Sequence, residues 1–168
     1  MRRLSIGGAL GVLLIVLAAC GGDSTDSATE LASLRRKADL WEIDQIEKDF
    51  HEATTKKDID QMVSLWAPNA TLTVAPGDTA TGREEIRQFW LDKSVAFKPA
   101  THWVSDHPAY KVDITVNGDR GTLHFECHYV DYDTGEVALV TVADQDVARI
   151  DGRWLITNMV AGSTTLTP

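Results

Sequence analysis

The chain is poor in cysteine, aromatics and positive charge: 2 cysteines, 7% Phe, Trp and Tyr, and 16 Lys and Arg against 25 Asp and Glu in 168 residues. Two cysteines exclude a disulfide framework, so stability has to come from a buried core. The formal charge is −9, and setting aside the two positive charges of Arg2 and Arg3 leaves −11 for the remainder. With no run of Lys or Arg of useful length, the chain lacks the cationic surface that a phosphate backbone requires, and a nucleic-acid partner is excluded. The longest apolar stretch, Leu4 to Leu17, is about 14 residues, short of the roughly 20 that a spanning helix needs. A chain of this length supports one sizeable core rather than two.

What is present begins with a processing pattern. Met1-Arg2-Arg3 is a short positive segment, the apolar stretch follows, and Leu17-Ala18-Ala19-Cys20 closes it with small residues before a cysteine. This has the organisation of an export signal, and its last four residues resemble a bacterial lipoprotein signal. The resemblance implies cleavage after residue 19, diacylglycerol on the Cys20 thiol, and a protein held on the extracytoplasmic face of the cell membrane by its lipid. Each buried acyl methylene contributes about 0.8 kcal/mol to such an anchor. Residues 20–30 then read as the lipidated cysteine and a flexible polar tether, 31–163 as the folded domain and 164–168 as a tail. With Cys20 lipidated, Cys127 is the one free thiol.

From Leu31 the pattern is helical, with Leu34, Ala38, Trp41, Ile46, Phe50 and Ala53 assigned to one side of a long helix. Asp58, followed by Gln61, caps a second helix carrying Ile59, Met62, Val63 and Trp66, stopped by Pro68. Thr71 to Ala75 reads as a short strand, and Thr81 with Glu84 as a capping box for a third helix bearing Ile86, Phe89 and Trp90. Beyond it the period becomes two. Asn117-Gly118, Thr134-Gly135 and Asp151-Gly152 separate strands over Tyr110–Val116, Gly121–Asp131, Val137–Ile150 and Arg153–Ala161, with His102–Ser105 as an earlier strand. The class is α+β: three N-terminal helices packed on a curved antiparallel β-sheet.

Along Gly121–Asp131, Leu123, Phe125, Cys127 and Tyr129 alternate with His124, Glu126 and His128. The apolar set is the natural inner face, and the histidines go to the outer face or an interface. His102 and His107 flank the early strand, and His102 is a candidate proton carrier because imidazole titrates near neutral pH. Asp144 and Asp146 share a strand face with Val140 and Val142. They either work as an acid and base in unlike surroundings or simply meet solvent. Asn158 either points inward as a ligand donor or satisfies a backbone group.

This organisation resembles the NTF2-like superfamily, in particular SnoaL-like domains, over about Leu34 to Ala161. The resemblance rests on Phe50-His51-Glu52-Ala53 leading to Lys57-Asp58-Ile59-Asp60, then Leu65-Trp66-Ala67-Pro68-Asn69-Ala70, Thr81-Gly82-Arg83-Glu84-Glu85-Ile86 and Arg149-Ile150-Asp151-Gly152-Arg153-Trp154-Leu155-Ile156. It implies a cone in which the bent sheet and helices enclose a mostly apolar cavity, among relatives that include ketosteroid isomerases, polyketide cyclases, dehydratases and epoxide hydrolases. Thr101-His102 is similar to a Thr/Arg-His element of the dehydratase-like members. The aspartate that those enzymes place before the second helix falls near Thr55, which cannot serve as a carboxylate base.

The expected function is therefore binding without turnover, by a membrane-anchored domain, of a small apolar or amphipathic ligand or a partner protein. The alternative is an isomerase, dehydratase or cyclase with His102 carrying protons. Trp66, Trp90, His102, Tyr129 and Asn158 are the expected ligand contacts, with no cofactor and no metal. A homodimer is expected through the outer sheet face. Replacing Cys20 by Ala is expected to abolish lipid attachment; mass analysis finding an unmodified Cys20 in the wild-type membrane fraction would contradict the lipoprotein assignment.

Overall fold

The computed structural model describes residues 23–105 and 111–165. The signal segment, Cys20, His107 and the last residues of the tail lie outside the described residues. Helix α1 runs Asp23–Lys56, α2 Ile59–Ser64 and α3 Gly82–Asp92, with a 3₁₀ turn at Val95–Phe97. The strands are β1 Trp66–Val74, β2 Asp78–Thr81, β3 Trp103–Ser105, β4 Lys111–Asn117, β5 Arg120–Asp131, β6 Val137–Ile150 and β7 Arg153–Thr165. They form one sheet in the order β2-β1-β7-β6-β5-β3, with β4 also paired to β5. The α+β expectation holds, with three helices against a curved sheet.

Three long strands joined by tight turns build the body of the sheet, and their registers follow the sequence. Gly118 (φ 60°) and Asp119 link β4 to β5, one residue beyond the expected Asn117-Gly118 because Asn117 still pairs with Arg120, and Asp151-Gly152, both at positive φ (49° and 77°), links β6 to β7. Two consecutive residues at positive φ are what a type I′ hairpin demands, which is why Asp-Gly marks the turn. Leu123, Phe125, Cys127 and Tyr129 are buried while His124, Glu126 and His128 occupy the other face, as the alternation predicts. Gly121 sits where α1 meets the sheet. A Cβ there would lie 2.5 Å from Thr115 O and 3.2 Å from Ile43 Cδ1, so this approach requires glycine.

Several local expectations are corrected. Helix α1 begins at Asp23, within the segment read as tether. Its apolar residues do not share one side: Ile46, Phe50 and Ala53 are buried, but Leu34, Ala38 and Trp41 are exposed. The five-residue step from Trp41 to Ile46 rotates the pattern by about 140° at 3.6 residues per turn, which separates the two sets. Helix α2 ends at Ser64, before Pro68, because Trp66 and Pro68 already belong to β1. Asp58 caps α2 as expected, accepting from the Asp60 and Gln61 amides at 3.1 and 2.9 Å. At α3 the Thr81 side chain makes no cap. The Thr81 amide instead donates to Glu85 Oε2 at 2.8 Å, so Glu85 and not Glu84 closes the turn. The strand β2 was missed, and β1 pairs with β7 in parallel, so the sheet is antiparallel except at that seam.

Just past the end of α1, Lys57 takes φ 57°, and its ammonium donates to Ala96 O and Thr101 O at 3.0 and 2.6 Å. That tie holds the α1 terminus against the segment that leads into β3. Arg149 on β6 ties down the middle of the helix. It pairs with Asp39, and with Glu42 and Asp119 at 3.5 and 3.3 Å, while its guanidinium lies 4.8 Å from the centre of the Trp154 ring.

Candidate functional site

The inner face of the sheet is not filled completely. Phe50 of α1, Trp90 of α3, Trp103 of β3, Tyr129 of β5, Leu139 and Thr141 of β6 and Met159 and Ala161 of β7 line a cavity of about 200 Å³. Lys93 and Val95, both exposed, also line it. Phe50 meets Trp90 edge to face, at 5.4 Å between centroids and 79° between planes, and Trp103 stands 6.2 Å from Tyr129 with the rings tilted at 41°. Edge-to-face contact fixes ring orientation, which keeps such a space open instead of letting side chains collapse into it.

Polar groups at this cavity are few. Trp90 Nε1 is buried with no hydrogen-bond partner among the described residues. Burial pushes the Tyr129 phenol well above its ordinary value; the Cys127 thiol beside it adds to the shift, and hydrogen bonds with Thr54 and Ser105 oppose it. The phenol therefore stays protonated across the physiological range. Among the described lining residues there is no Asp, Glu or His.

The five residues expected at the site are not brought together. Trp90 and Tyr129 line the cavity. Trp66 is fully buried at the start of β1 and does not reach it; its carbonyl accepts from Arg83 Nε at 2.7 Å. The side chain of His102 is 60% exposed, with Nδ1 2.9 Å from Asp133 Oδ2, and it lies near neither Asp113 nor Asp144. The period of two explains its direction: Trp103 and Ser105 turn inward, so His102 and Val104 turn out. Asn158 lies on the outer sheet face, where its Nδ2 donates to Asp146 Oδ2 at 3.2 Å. Thr55 is occupied by structure, since its hydroxyl accepts the Ser105 amide at 3.1 Å.

The sequence reading missed a buried pair on α1. Glu47 Oε1 lies 2.8 Å from His51 Nδ1, each side chain 1% exposed, and the imidazole packs at 84° to the Phe125 ring, 5.1 Å away. Spacing offered the signal, because positions four apart on the face of Ile43, Ile46 and Phe50 must both enter the core. His51 lines a cleft between α1 and β3 with Thr55 and Ser105, distinct from the apolar cavity.

On the outer sheet face a broad polar depression holds Lys111, Asp113, His124, Asp144, Asp146 and Asn158. His124 Nδ1 is 2.7 Å from Asp144 Oδ1 and Nε2 is 3.3 Å from Glu126 Oε1, while Lys111 reaches Glu126 at 2.6 Å. Among the described residues no group of three or more His, Cys, Asp or Glu side chains could hold a metal ion.

Comparison with known proteins settles the family. A model of the SnoaL-like domain matches residues 35–160. The chain belongs to the SnoaL-like domain family. No curated protein matches it. Solved structures share the fold of this SnoaL-like domain at low identity. A Nostoc punctiforme protein of unknown function with a cystatin-like fold is 21% identical, with TM-score 0.64 over 78% of this chain and 95% of its own. An NTF2-like protein from Novosphingobium aromaticivorans is 18% identical, with TM-score 0.65 over 87% and 92%. A hexachlorocyclohexane dehydrochlorinase from Novosphingobium barchaimii is 18% identical, with TM-score 0.66 over 81% and 93%.

The outer face of the SnoaL-like domain yields a pH prediction. The hydrogen bond to Asp144 raises the His124 pKa above its ordinary value, Glu126 and the Asp144 charge add to it, and partial burial and Lys111 oppose them. A raised folded-state pKa stabilises the fold below the ordinary value, about 6.5, and that contribution is lost as pH rises through the raised one. NMR titration of the imidazole is expected to place His124 above its ordinary value and to move it down in Asp144→Asn. An unchanged midpoint in the variant would show that Asp144 does not hold the proton.

Proposed function

We propose that this SnoaL-like domain binds a small apolar or amphipathic molecule in its cone without turning it over, on a protein anchored to the extracytoplasmic membrane face through lipid on Cys20. The observation that carries the binding reading is the aromatic-walled cavity itself, about 200 Å³ with Trp90, Trp103 and Tyr129 around it. A void of roughly 150 Å³ lined by apolar side chains accepts a single benzene ring, so this one suits a monocyclic compound with one or two substituents. Lipid anchoring rests on the basic start, the apolar stretch and the small residues before Cys20.

Binding without chemistry is favoured by what lines the space. Proton transfer needs a base within hydrogen-bond reach of the substrate, and the described lining offers Lys93 as its one ionisable side chain besides the Tyr129 phenol. The dehydrochlorinase shares the fold, which by itself does not transfer its chemistry.

The test is a thermal-shift titration of the protein with toluene, p-cresol and cyclohexanone, in wild type and in Ala161→Phe, which fills the cavity from β7. A ligand at 100 times its Kd stabilises by about 2.7 kcal/mol, a rise of roughly 5 to 10 °C for a domain of this size. The wild type is expected to shift with at least one probe and the variant with none. Equal shifts in both, or none in the wild type, would remove the cavity from the function.

A further inference from the structure

The part of α1 that precedes the folded core carries an apolar stripe that the described residues leave largely exposed. Leu31, Leu34 and Trp41 are 50%, 54% and 63% exposed, and Ala38 between them is exposed as well. Their spacing of three, four and three is that of the a and d positions of a heptad repeat, with Leu31 and Ala38 at a and Leu34 and Trp41 at d. The stripe is not a continuation of the buried face. Ile43 follows Leu34, and Phe50 follows Trp41, by nine residues, about two and a half turns, which turns the stripe away from the buried face, although Leu31 borders a shallow groove with Val116 and Gly118 and Trp41 one with Gly152 and Trp154.

We propose that this stripe is the seam of a parallel, in-register two-helix coiled coil with a second copy of this chain. The charges beside the seam select both the occupant and its direction. Glu30 and Lys37 fall at g, Arg35 and Glu42 at e. In a parallel pair each g residue meets the e residue of the next heptad on the other helix. Glu30 then faces Arg35 of the second copy and Lys37 faces Glu42 of the second copy, attractive in both cases and repeated by symmetry. Glu30, Arg35 and Lys37 are exposed, and the side chain of Glu42 is 41% exposed although it also approaches Arg149. An antiparallel pair along the same seam brings Glu30 against Asp44, Arg35 against Arg35 and Lys37 against Lys37, all repulsive. A shift by one heptad sets Leu31 opposite Ala38 and leaves the outer apolar residues uncovered.

The outer sheet face, the other surface on which two copies were expected to meet, is less suited to pairing. It presents Asp113, Glu126, Asp144 and Asp146 against Lys111 and His124, so a symmetric pair opposes like charge. The helical seam is short, about 15 Å from Leu31 to Trp41, and Gln45 and Lys48 end it at the next a and d positions. Such a contact is weak in dilute solution and strong when both chains share a surface that raises their effective concentration. Parallel helices also leave both N-termini on the same side.

The experiment is oxidative cross-linking of the full chain in the expressing cells with copper phenanthroline. Cys127 is buried, and the unsubstituted chain is run in parallel to account for the native cysteines. Leu34→Cys places thiols across the seam at a d position and is expected to give a disulfide-linked dimer as the main product. Ser33→Cys, one residue away and off the seam, is expected to give at least fivefold less. In the Leu34→Cys background, Glu30→Arg is expected to lower the dimer severalfold, and adding Arg35→Glu to restore it. A Leu34→Cys chain that stays monomeric overturns the proposal, whether the stripe then meets lipid or another protein. Failure of the charge swap to restore cross-linking overturns the parallel register.

Discussion

Phe50 is the contact on which the arrangement turns. It comes from α1, touches Phe125 of β5 at 5.6 Å and Trp90 of α3 at 5.4 Å, and so joins the long helix, the sheet and the third helix at one point. Burying a ring of this size stabilises by about 1.5 to 3 kcal/mol, and removing one from a core costs about 3 to 5 kcal/mol. Around it Ile43, Ile46, Met62, Leu123 and Ile156 close the interior. Lys57 and Arg149 hold the helix on either side of Phe50. The same ring forms part of the cavity wall, so the interaction that secures the fold also shapes the cavity.

The cavity follows from curvature. β3 and β5 bring Trp103 and Tyr129 to one side, and β6 and β7 bring Thr141 and Ala161 to the other. Small residues on the last two strands leave room that the aromatic rings on the opposite wall do not take up. The polar chemistry of the domain lies elsewhere: the Glu47–His51 pair under α1, and the His124 cluster on the outer sheet face. This separation leaves the cavity with little acid–base capacity.

Much of this was legible in the residues. The alternation of β5 fixed which side of it is buried, because a period of two has no third choice; Asp151-Gly152 marked the β6–β7 turn, and Asn117-Gly118 marked the β4–β5 turn to within one residue. The direction of His102 was harder. It depends on the register of a three-residue strand against Asp131, Val130 and Tyr129, which no local pattern states. Asn158 failed for a related reason: a register shift on β7 around Thr157 moves it to the outer face, out of step with Trp154 and Ile156. Trp41 was misread because its apolar character fits a buried helix face as well as an unpartnered one. Glu47 and His51 were passed over because charged residue types suggest solvent, although their spacing from Ile43 and Phe50 put them inside.

The account stands on an apolar space that persists inside the folded cone. Diffraction from crystals pressurised with xenon tests that directly, since xenon enters dry apolar cavities and reports them by its scattering. The expected result is a xenon atom between Trp90, Trp103 and Tyr129, with the rings in place. A cone whose side chains have closed over that position, with no xenon inside it, would contradict the account.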